Sequence, residues 1–281
     1  MLIKISLFAG LAFVALVGVI YWVGSREPIY TATPVSDQDF LAIRFKDRTK
    51  PFDLGEGAHW QAQAAFPLIG ADDAYWHGFA LIAAGHGTTL LENLGSQVED
   101  AYLARIKSSA PPKLALGFLR VLYLTGMSRA PSEEVEAAEV SNRSPFLPGE
   151  KAVQQLLAQP ETFHPAMVNF LAYKQEADYS TSDPARSPST GREAYARYGR
   201  VALQTVYRTG GHLLFYARID DVLRAADSAT AGGKWDEIAA MLYTSPPAIL
   251  SMDQVPTYRA ALGHREAGLS RTIVIASEEV R

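Results

Sequence analysis

The six histidines are the residues of this chain best suited to metal binding or acid–base chemistry, but their spacing matches no helical metal site. They are His59, His77, His86, His164, His212 and His264. No two of them stand at the i, i+4 spacing that places two ligands on one helix face, and no HExxH motif occurs. We therefore expect structural histidines, no metal and no cofactor.

Motifs for nucleophilic catalysis and nucleotide binding are absent as well. The chain contains no GxSxG nucleophile elbow and no P-loop, and Gly-His-Gly at 85–87 is too short for a nucleotide loop. Asp72-Asp73 and Asp220-Asp221 are adjacent pairs, whose side chains would face opposite sides of a strand and so form no carboxylate dyad. The absence of cysteine excludes disulfides, thiolate metal sites and a cysteine nucleophile.

One predicted strand carries an uneven distribution of polar side chains. In residues 212–219 (HLLFYARI), His212, Tyr216 and Arg218 alternate onto one face, whereas the other face is entirely apolar. Directed toward the concave side of a sheet, the polar row would line a ligand pocket; directed toward water, it would be the hydrated side. If helices cover the apolar face, the polar row points inward, toward an opposing sheet.

Three further residues complete the candidate set. Asn169 stands among apolar neighbours, and a buried amide needs partners, so it is either a structural anchor or a polar group of a pocket. His264 and Arg265 end a predicted helix, where cations offset the helix dipole without any ligand. The candidate ligand-binding residues are Asn169, His212, Tyr216, Arg218, His264 and Arg265.

The periodicity of the C-terminal half indicates which elements would hold these residues. The clearest segments are strands at 166–174, 212–219 and 269–276 and helices at 192–209 and 246–265. Residues 235–243 (WDEIAAMLY) suit a strand or a helix. With a strand there, the order strand, helix, strand, strand, helix, strand predicts a ferredoxin-like fold, with four antiparallel strands and two helices on one face.

Short motifs occur in a fixed order along the same half. They are 167–171 with Lys174, Tyr195 and Tyr198, Gly210-Gly211, Trp235-Asp236, 243–245, 256–258, and His264-Arg265 ahead of 267–269. Together they resemble the family called domain of unknown function 1330, over about residues 150–277. The chain departs from the family at 244–246, where Thr-Ser-Pro replaces Pro-Ser-Arg, and at 225–233, which lengthens the hairpin. The resemblance implies a dimeric α+β barrel and no particular activity.

The N-terminal half permits two interpretations. Residues 40–48 and 75–84 have strand character, 88–107 helical character, and 114–124 could be a closing strand. A degenerate ferredoxin-like repeat would make the chain an intrachain pseudo-dimer rather than a homodimer. The alternative is a helix-rich cap, because 114–124 also fits a buried helix. The proline-containing acidic stretch at 128–149 divides the chain into domains at 26–140 and 141–281.

An apolar N-terminal segment predicts a membrane anchor. Residues 5–23 carry no charge and, at about 1.5 Å per residue, would cross the roughly 30 Å hydrocarbon core. The alternative is a cleaved signal peptide, whose apolar region usually has only about 7–15 residues. We therefore expect residues 1–25 to be a single-pass transmembrane signal-anchor that binds the chain to the membrane, with its body extracytoplasmic (periplasmic in a bacterium).

Composition and charge limit the other partners. Hydrophobic residues make up 48% and charged residues 20%, as in a globular chain, and a net charge of −4 without a long basic run argues against nucleic acid. Three functions stay open: a module that binds a small ligand or a protein, a cofactor-independent enzyme of the monooxygenase or isomerase type found on similar barrels, and a structural interaction protein. The binding or interaction module is the favoured interpretation.

Overall fold

The computed structural model describes residues 2–26, 38–131, 144–179, 189–228 and 231–280, with side chains from residue 14 onward. The strands are β1 (Gln38–Phe45), β2 (Ala58–Ile69), β3 (Gly78–Ala83), β4 (Val98–Ser108), β5 (Ala166–Tyr173), β6 (His212–Arg224), β7 (Glu237–Leu242) and β8 (Leu269–Glu279). The helices are α1 (Leu2–Arg26), α2 (His86–Leu94), α3 (Lys113–Leu124), α4 (Glu150–Leu157), α5 (Gly191–Arg208), α6 (Pro246–Leu250) and α7 (Pro256–Gly268).

The eight described strands close into one antiparallel barrel in the order β1-β3-β2-β8-β5-β7-β6-β4. Aromatic side chains fill its interior, among them Phe40, Phe79, Phe170, Phe215 and Trp60. Phe40 packs edge-on against Phe170 at a centroid distance of 5.7 Å, and Trp60 against Phe215 at 5.1 Å. An eight-stranded barrel is just wide enough for side chains to fill. The interior is thus the core of the protein.

Each half of the chain supplies four neighbouring strands in the same relative order. The N-terminal four run β4-β1-β3-β2 and the C-terminal four run β8-β5-β7-β6. The halves meet where β2 pairs with β8 and where β4 pairs with β6. An internal duplication, with the domain boundary near residue 140, remains a prediction that this shared order motivates.

The predicted ferredoxin-like dimeric barrel is wrong. That architecture leaves a four-stranded sheet to be roofed by a second subunit, whereas here the edges β6 and β8 pair with strands of the same chain. The physical reason is that the edge strands β8 and β6 have unpaired backbone N–H and C=O groups, and strands β2 and β4 form hydrogen bonds with them. In the N-terminal half, residues 98–108, which were expected to continue a helix, form strand β4. Residues 113–124 form helix α3, which matches the alternative of a helix and not that of a closing strand.

Helix α1 is continuous, but its predicted role as a membrane anchor is wrong. In the portion of the chain that the structure describes, no helix has both the length and the apolar character needed to cross a membrane. The last turns of α1 instead pack on α3, so closely that a side chain on Gly24 or Gly117 would collide with the backbone of the other helix. These findings overturn the signal-anchor and the single-pass topology, from which the extracytoplasmic placement had been inferred, as well as the expectation of a helix that does not pack on the rest of the chain.

Helices α5 and α7 pack side by side on the outer face of the C-terminal strands. A capping box begins α5, in which the Thr190 hydroxyl accepts from the Glu193 amide while the Glu193 carboxylate accepts from the Thr190 amide. The start of α5 lies against the end of α7, where a Cβ on Gly191 or Gly268 would collide with the carbonyl oxygen of the other.

Candidate functional site

A cavity of about 660 Å³ lies between the outer face of the barrel and helices α5 and α7. Its floor consists of outward-facing strand residues, namely Asn169 and Leu171 of β5, Tyr216 of β6, and Ala239 and Met241 of β7. Its roof consists of helix residues, including Tyr195, Tyr198 and Ala202 of α5 and Tyr258 and Arg265 of α7. A largely apolar concavity with a few convergent polar groups is the usual form of a small-molecule site.

Arg265 is a buried cation in this cavity, with an exposed fraction of 6%. Its Nη1 donates to the Tyr198 hydroxyl at 2.9 Å, and its guanidinium carbon lies 5.3 Å from the Tyr198 ring centroid. Nε and Nη2 have no hydrogen-bond partner among the described residues. Burial acts to lower the pKa of Arg265, but the surrounding tyrosine hydroxyls outweigh it and raise the pKa, so the side chain stays charged.

Four tyrosine rings form a row beside Arg265, and three of them, Tyr195, Tyr198 and Tyr258, line the cavity. Centroids of Tyr258 and Tyr198 are 5.9 Å apart, those of Tyr198 and Tyr195 are 5.3 Å apart, and those of Tyr195 and Tyr173 are 5.3 Å apart. Burial raises the pKa of Tyr195 and Tyr258. Tyr195 and Tyr258 are therefore neutral at physiological pH and present aromatic faces and hydroxyl groups rather than charges.

A buried carboxylate stands at the far end of the tyrosine row. Glu237 is 1% exposed, and it accepts hydrogen bonds from the Tyr173 hydroxyl at 2.5 Å and from the Tyr216 hydroxyl. The same carboxylate forms an ion pair with Arg192 of α5. Burial first, and then Glu237, raise the pKa of Tyr216. The network holds Tyr216 in place on the cavity floor as a neutral phenol.

Asn169 lies on the floor with its amide orientation determined by its partners. Nδ2 donates to the Met167 carbonyl at 2.8 Å and to the Ala239 carbonyl at 3.4 Å. Because both partners are carbonyl oxygens, the nitrogen of the amide must face them. Asn169 is thus the anchor that sequence reasoning considered, and it also lines the cavity.

The structure brings Asn169, Tyr216 and Arg265 together and places the other three candidates elsewhere. His212 lines a second cavity of about 450 Å³ with Arg120 and His164, and burial lowers its pKa to about 4. The Arg218 side chain is 48% exposed and lies 3.9 Å from an Asp220 oxygen. Nδ1 of His264 lies 2.8 Å from the Tyr179 hydroxyl and the residue does not line the larger cavity.

A β-bulge interrupts the predicted row on β6 between His212 and Tyr216. The register of β6 against β7 shifts between Leu213 and Phe215, so that Leu214 and Phe215 both contact the barrel core. Tyr216 faces the helices, opposite to the predicted inward direction, because the apolar face of β6 packs in the barrel interior and not beneath α5 and α7. A bulge reverses the alternation that a period of two assumes.

Several residues of the site were missed by sequence reasoning. Tyr195, Tyr198 and Tyr258 belong to the motifs of the family resemblance without a predicted role in a site, and Glu237 has no predicted role. The sequence does contain a signal for Glu237, because it is the only charged residue of the strand EIAAML. A carboxylate buried with such a strand needs a hydrogen-bond or ion-pair partner. Within the described ranges, no three histidine, aspartate or glutamate side chains are grouped so as to hold a metal ion.

Comparison with known proteins gives structural neighbours but no family. No protein-family model matches the chain, and no curated protein matches it. The methylated RPA0582 protein is 25% identical, over 50% of this chain and 97% of its own, with a TM-score of 0.42. RPA0582 of Rhodopseudomonas palustris, a protein of unknown function, is 26% identical over 48% and 95%, with a TM-score of 0.41. An anthrone oxidase-like protein is 12% identical over 90% and 95%, with a TM-score of 0.42. Likeness at this level carries no argument about function, and the resemblance to domain of unknown function 1330 stays a prediction.

Proposed function

We propose that this protein binds a small, largely apolar ligand with an anionic group in the cavity beneath α5 and α7. The observation that carries the proposal is Arg265, a charged side chain that is buried in the cavity wall with two guanidinium nitrogens unpartnered among the described residues. A buried charge is costly unless it is paired, so a group that persists in this state points to a partner from outside the chain.

The acidic residues of the cavity wall have other partners. Asp253 is buried and accepts a hydrogen bond from Arg259 Nε at 3.1 Å. Glu193 belongs to the capping box at the start of α5. Neither forms an ion pair with Arg265 in the described part of the chain. An anionic ligand would supply the countercharge, while the tyrosine rings and apolar floor would contact its hydrocarbon part.

A pair of fluorescent probes tests the proposal. 1-Anilinonaphthalene-8-sulfonate and N-phenyl-1-naphthylamine share the same aromatic frame, but only the first carries an anionic group. We expect Arg265→Met to weaken binding of the sulfonate by roughly tenfold to a hundredfold, because a charge-assisted hydrogen bond contributes about 1.5–3 kcal/mol. Binding of the uncharged amine should change less than about twofold, since it makes no such bond.

Arg200→Met is the matched control for this titration. Arg200 also lines the cavity and lies on α5, but it is exposed, so its removal should leave both affinities near those of the unaltered protein. An equal loss of affinity for both probes in Arg265→Met, or no loss of affinity for either, would contradict an anion site at Arg265.

A cofactor-independent enzyme of the monooxygenase or isomerase type is the second candidate for the same site. The contact that favours it is the hydrogen bond from Tyr216 to the buried Glu237, because a phenol bonded to a carboxylate can relay a proton. Its polar set would be Asn169 and Tyr216, without His212. Slow conversion of a bound ligand, followed by its absorbance and lost in Tyr216→Phe, would separate catalysis from binding alone.

A further inference from the structure

We infer that the Asn169 amide oxygen is a second recognition point in the cavity, an inference that rests on the proposed ligand site. It selects ligands that carry a hydrogen-bond donor at the end opposite their anionic group. The ligand class is then a hydroxylated aromatic acid, held by its anion at Arg265 and by its hydroxyl group at Asn169.

The chemistry of Asn169 follows from its two hydrogen bonds. An asparagine side chain has two N–H donors and one carbonyl acceptor. Both donors are used, because Nδ2 donates to the backbone carbonyls of Met167 and Ala239. The oxygen Oδ1 is therefore the part of the amide that a ligand can bind. It is an acceptor, so the complementary ligand group is a donor such as a hydroxyl.

Ala239 leaves room for that group directly beside Asn169. Strand pairing puts Ala239 opposite Asn169 on β5 and opposite Tyr216 on β6, so the three side chains form one row across the cavity floor. The middle position of the row carries only a methyl group, whereas the two positions beside it carry large polar side chains. Asn169 is 6% exposed, which makes its oxygen a built part of the cavity wall rather than a surface group.

The tyrosine row supports an extended aromatic ligand between the two points. The Tyr195 ring packs at a tilt between Tyr198, which accepts a hydrogen bond from Arg265, and Tyr173, which donates one to Glu237. Stacked and edge-on contacts with neutral phenol rings favour a planar aromatic body. The cavity thereby combines a cation, an aromatic wall and a fixed acceptor.

Three matched pairs of acids test the inference by isothermal titration calorimetry: benzoate with 4-hydroxybenzoate, 2-naphthoate with 6-hydroxy-2-naphthoate, and biphenyl-4-carboxylate with 4′-hydroxybiphenyl-4-carboxylate. In the unaltered protein, the hydroxyl group should improve the affinity by about tenfold in at least one pair, the value expected for a well-formed hydrogen bond. In Asn169→Leu the same pair should differ by less than twofold, while the acid without the hydroxyl keeps its affinity.

Ala239→Ser is the second variant, and it leaves the hydrogen bonds of Asn169 in place. Cross-strand neighbours have Cβ atoms about 4.5–5.5 Å apart, so the serine hydroxyl can reach Oδ1 and occupy it. The ratio of the affinities of the hydroxylated and the unsubstituted acid should then fall toward one, while the protein still folds. A preference that persists in both variants, or no preference in any pair, would overturn the inference.

The test distinguishes the failure of this inference from the failure of the proposed function. If the acids bind and Arg265→Met weakens them, but the hydroxyl group adds nothing, the anion site stands and the second recognition point is refuted. If none of the acids binds, the proposed function itself is refuted, and the inference with it.

Discussion

Replacing Arg265 by methionine should leave the ligand-free protein at least as stable as the unaltered chain. Removing a buried arginine that stabilises the folded structure lowers the free energy of unfolding of the protein. Removing a buried arginine whose role is to bind a ligand does not lower it, because the ligand-free folded protein already bears the desolvation cost of the charge. The sign of the change in the free energy of unfolding therefore separates the two roles.

The contacts of Arg265 set the expected magnitude. Removal loses one charge-assisted hydrogen bond to Tyr198, worth about 1.5–3 kcal/mol, and a cation–π contact of up to about 2 kcal/mol. It relieves an uncompensated buried charge, which in other proteins costs about 3–5 kcal/mol. Methionine replaces the aliphatic part of the arginine side chain and packs well among tyrosine rings. The two sides nearly cancel, and we expect a change between zero and a gain of about 2 kcal/mol.

Urea denaturation of the ligand-free proteins measures the change, with Arg192→Met as the contrasting variant. Arg192 is paired with the buried Glu237, so its removal leaves an unpaired carboxylate and should cost about 1–3 kcal/mol. Opposite signs for the two variants are the expected result. A loss of more than about 2 kcal/mol in Arg265→Met would refute the reasoning and assign Arg265 a structural role.

Three further predictions concern stability. Burial lowers the pKa of His212 to about 4, so the unfolded chain binds a proton that the folded chain does not. Stability should therefore fall by about 3 kcal/mol as the pH drops from near 6.5 to near 4, and His212→Gln should flatten this part of the pH profile, whereas replacing the exposed His59 should not. Phe170→Ala should lower the free energy of unfolding by about 3–5 kcal/mol, because Phe170 is fully buried among the rings of the barrel interior; a cost below about 1 kcal/mol would show that the interior is loosely packed. Gly117→Leu should detach α1 from α3 and accelerate amide hydrogen exchange in α1 while the strands keep their protection; unchanged exchange in α1 would contradict the close packing at Gly24 and Gly117.

The candidate site was partly accessible from sequence. Asn169 was identified because a polar amide within an apolar strand needs partners wherever the strand lies. Arg265 was identified for a different reason, its place at a helix end, and only the packing of α7 against α5 shows that it points into a cavity. Tyr216 was identified with the wrong direction, because no local pattern reveals that the apolar face of β6 packs inside a closed barrel and not beneath the helices. Glu237 was missed, since its importance depends on three side chains from other elements.

Local periodicity by itself determined where strands could form in the C-terminal half. Residues 166–174, 212–219 and 269–276 carry β-branched and aromatic side chains, and the structure has β5, β6 and β8 there. Tertiary structure alone decided that β8 pairs with β2 and β6 with β4, which closes one barrel within the chain and refutes the ferredoxin-like dimeric barrel. It also decided that the apolar helix α1 packs on α3, where hydropathy had predicted a membrane anchor. Side-chain alternation and apolar content are properties of neighbouring residues, whereas edge pairing and helix packing depend on residues far apart in sequence, which only the folded chain brings together.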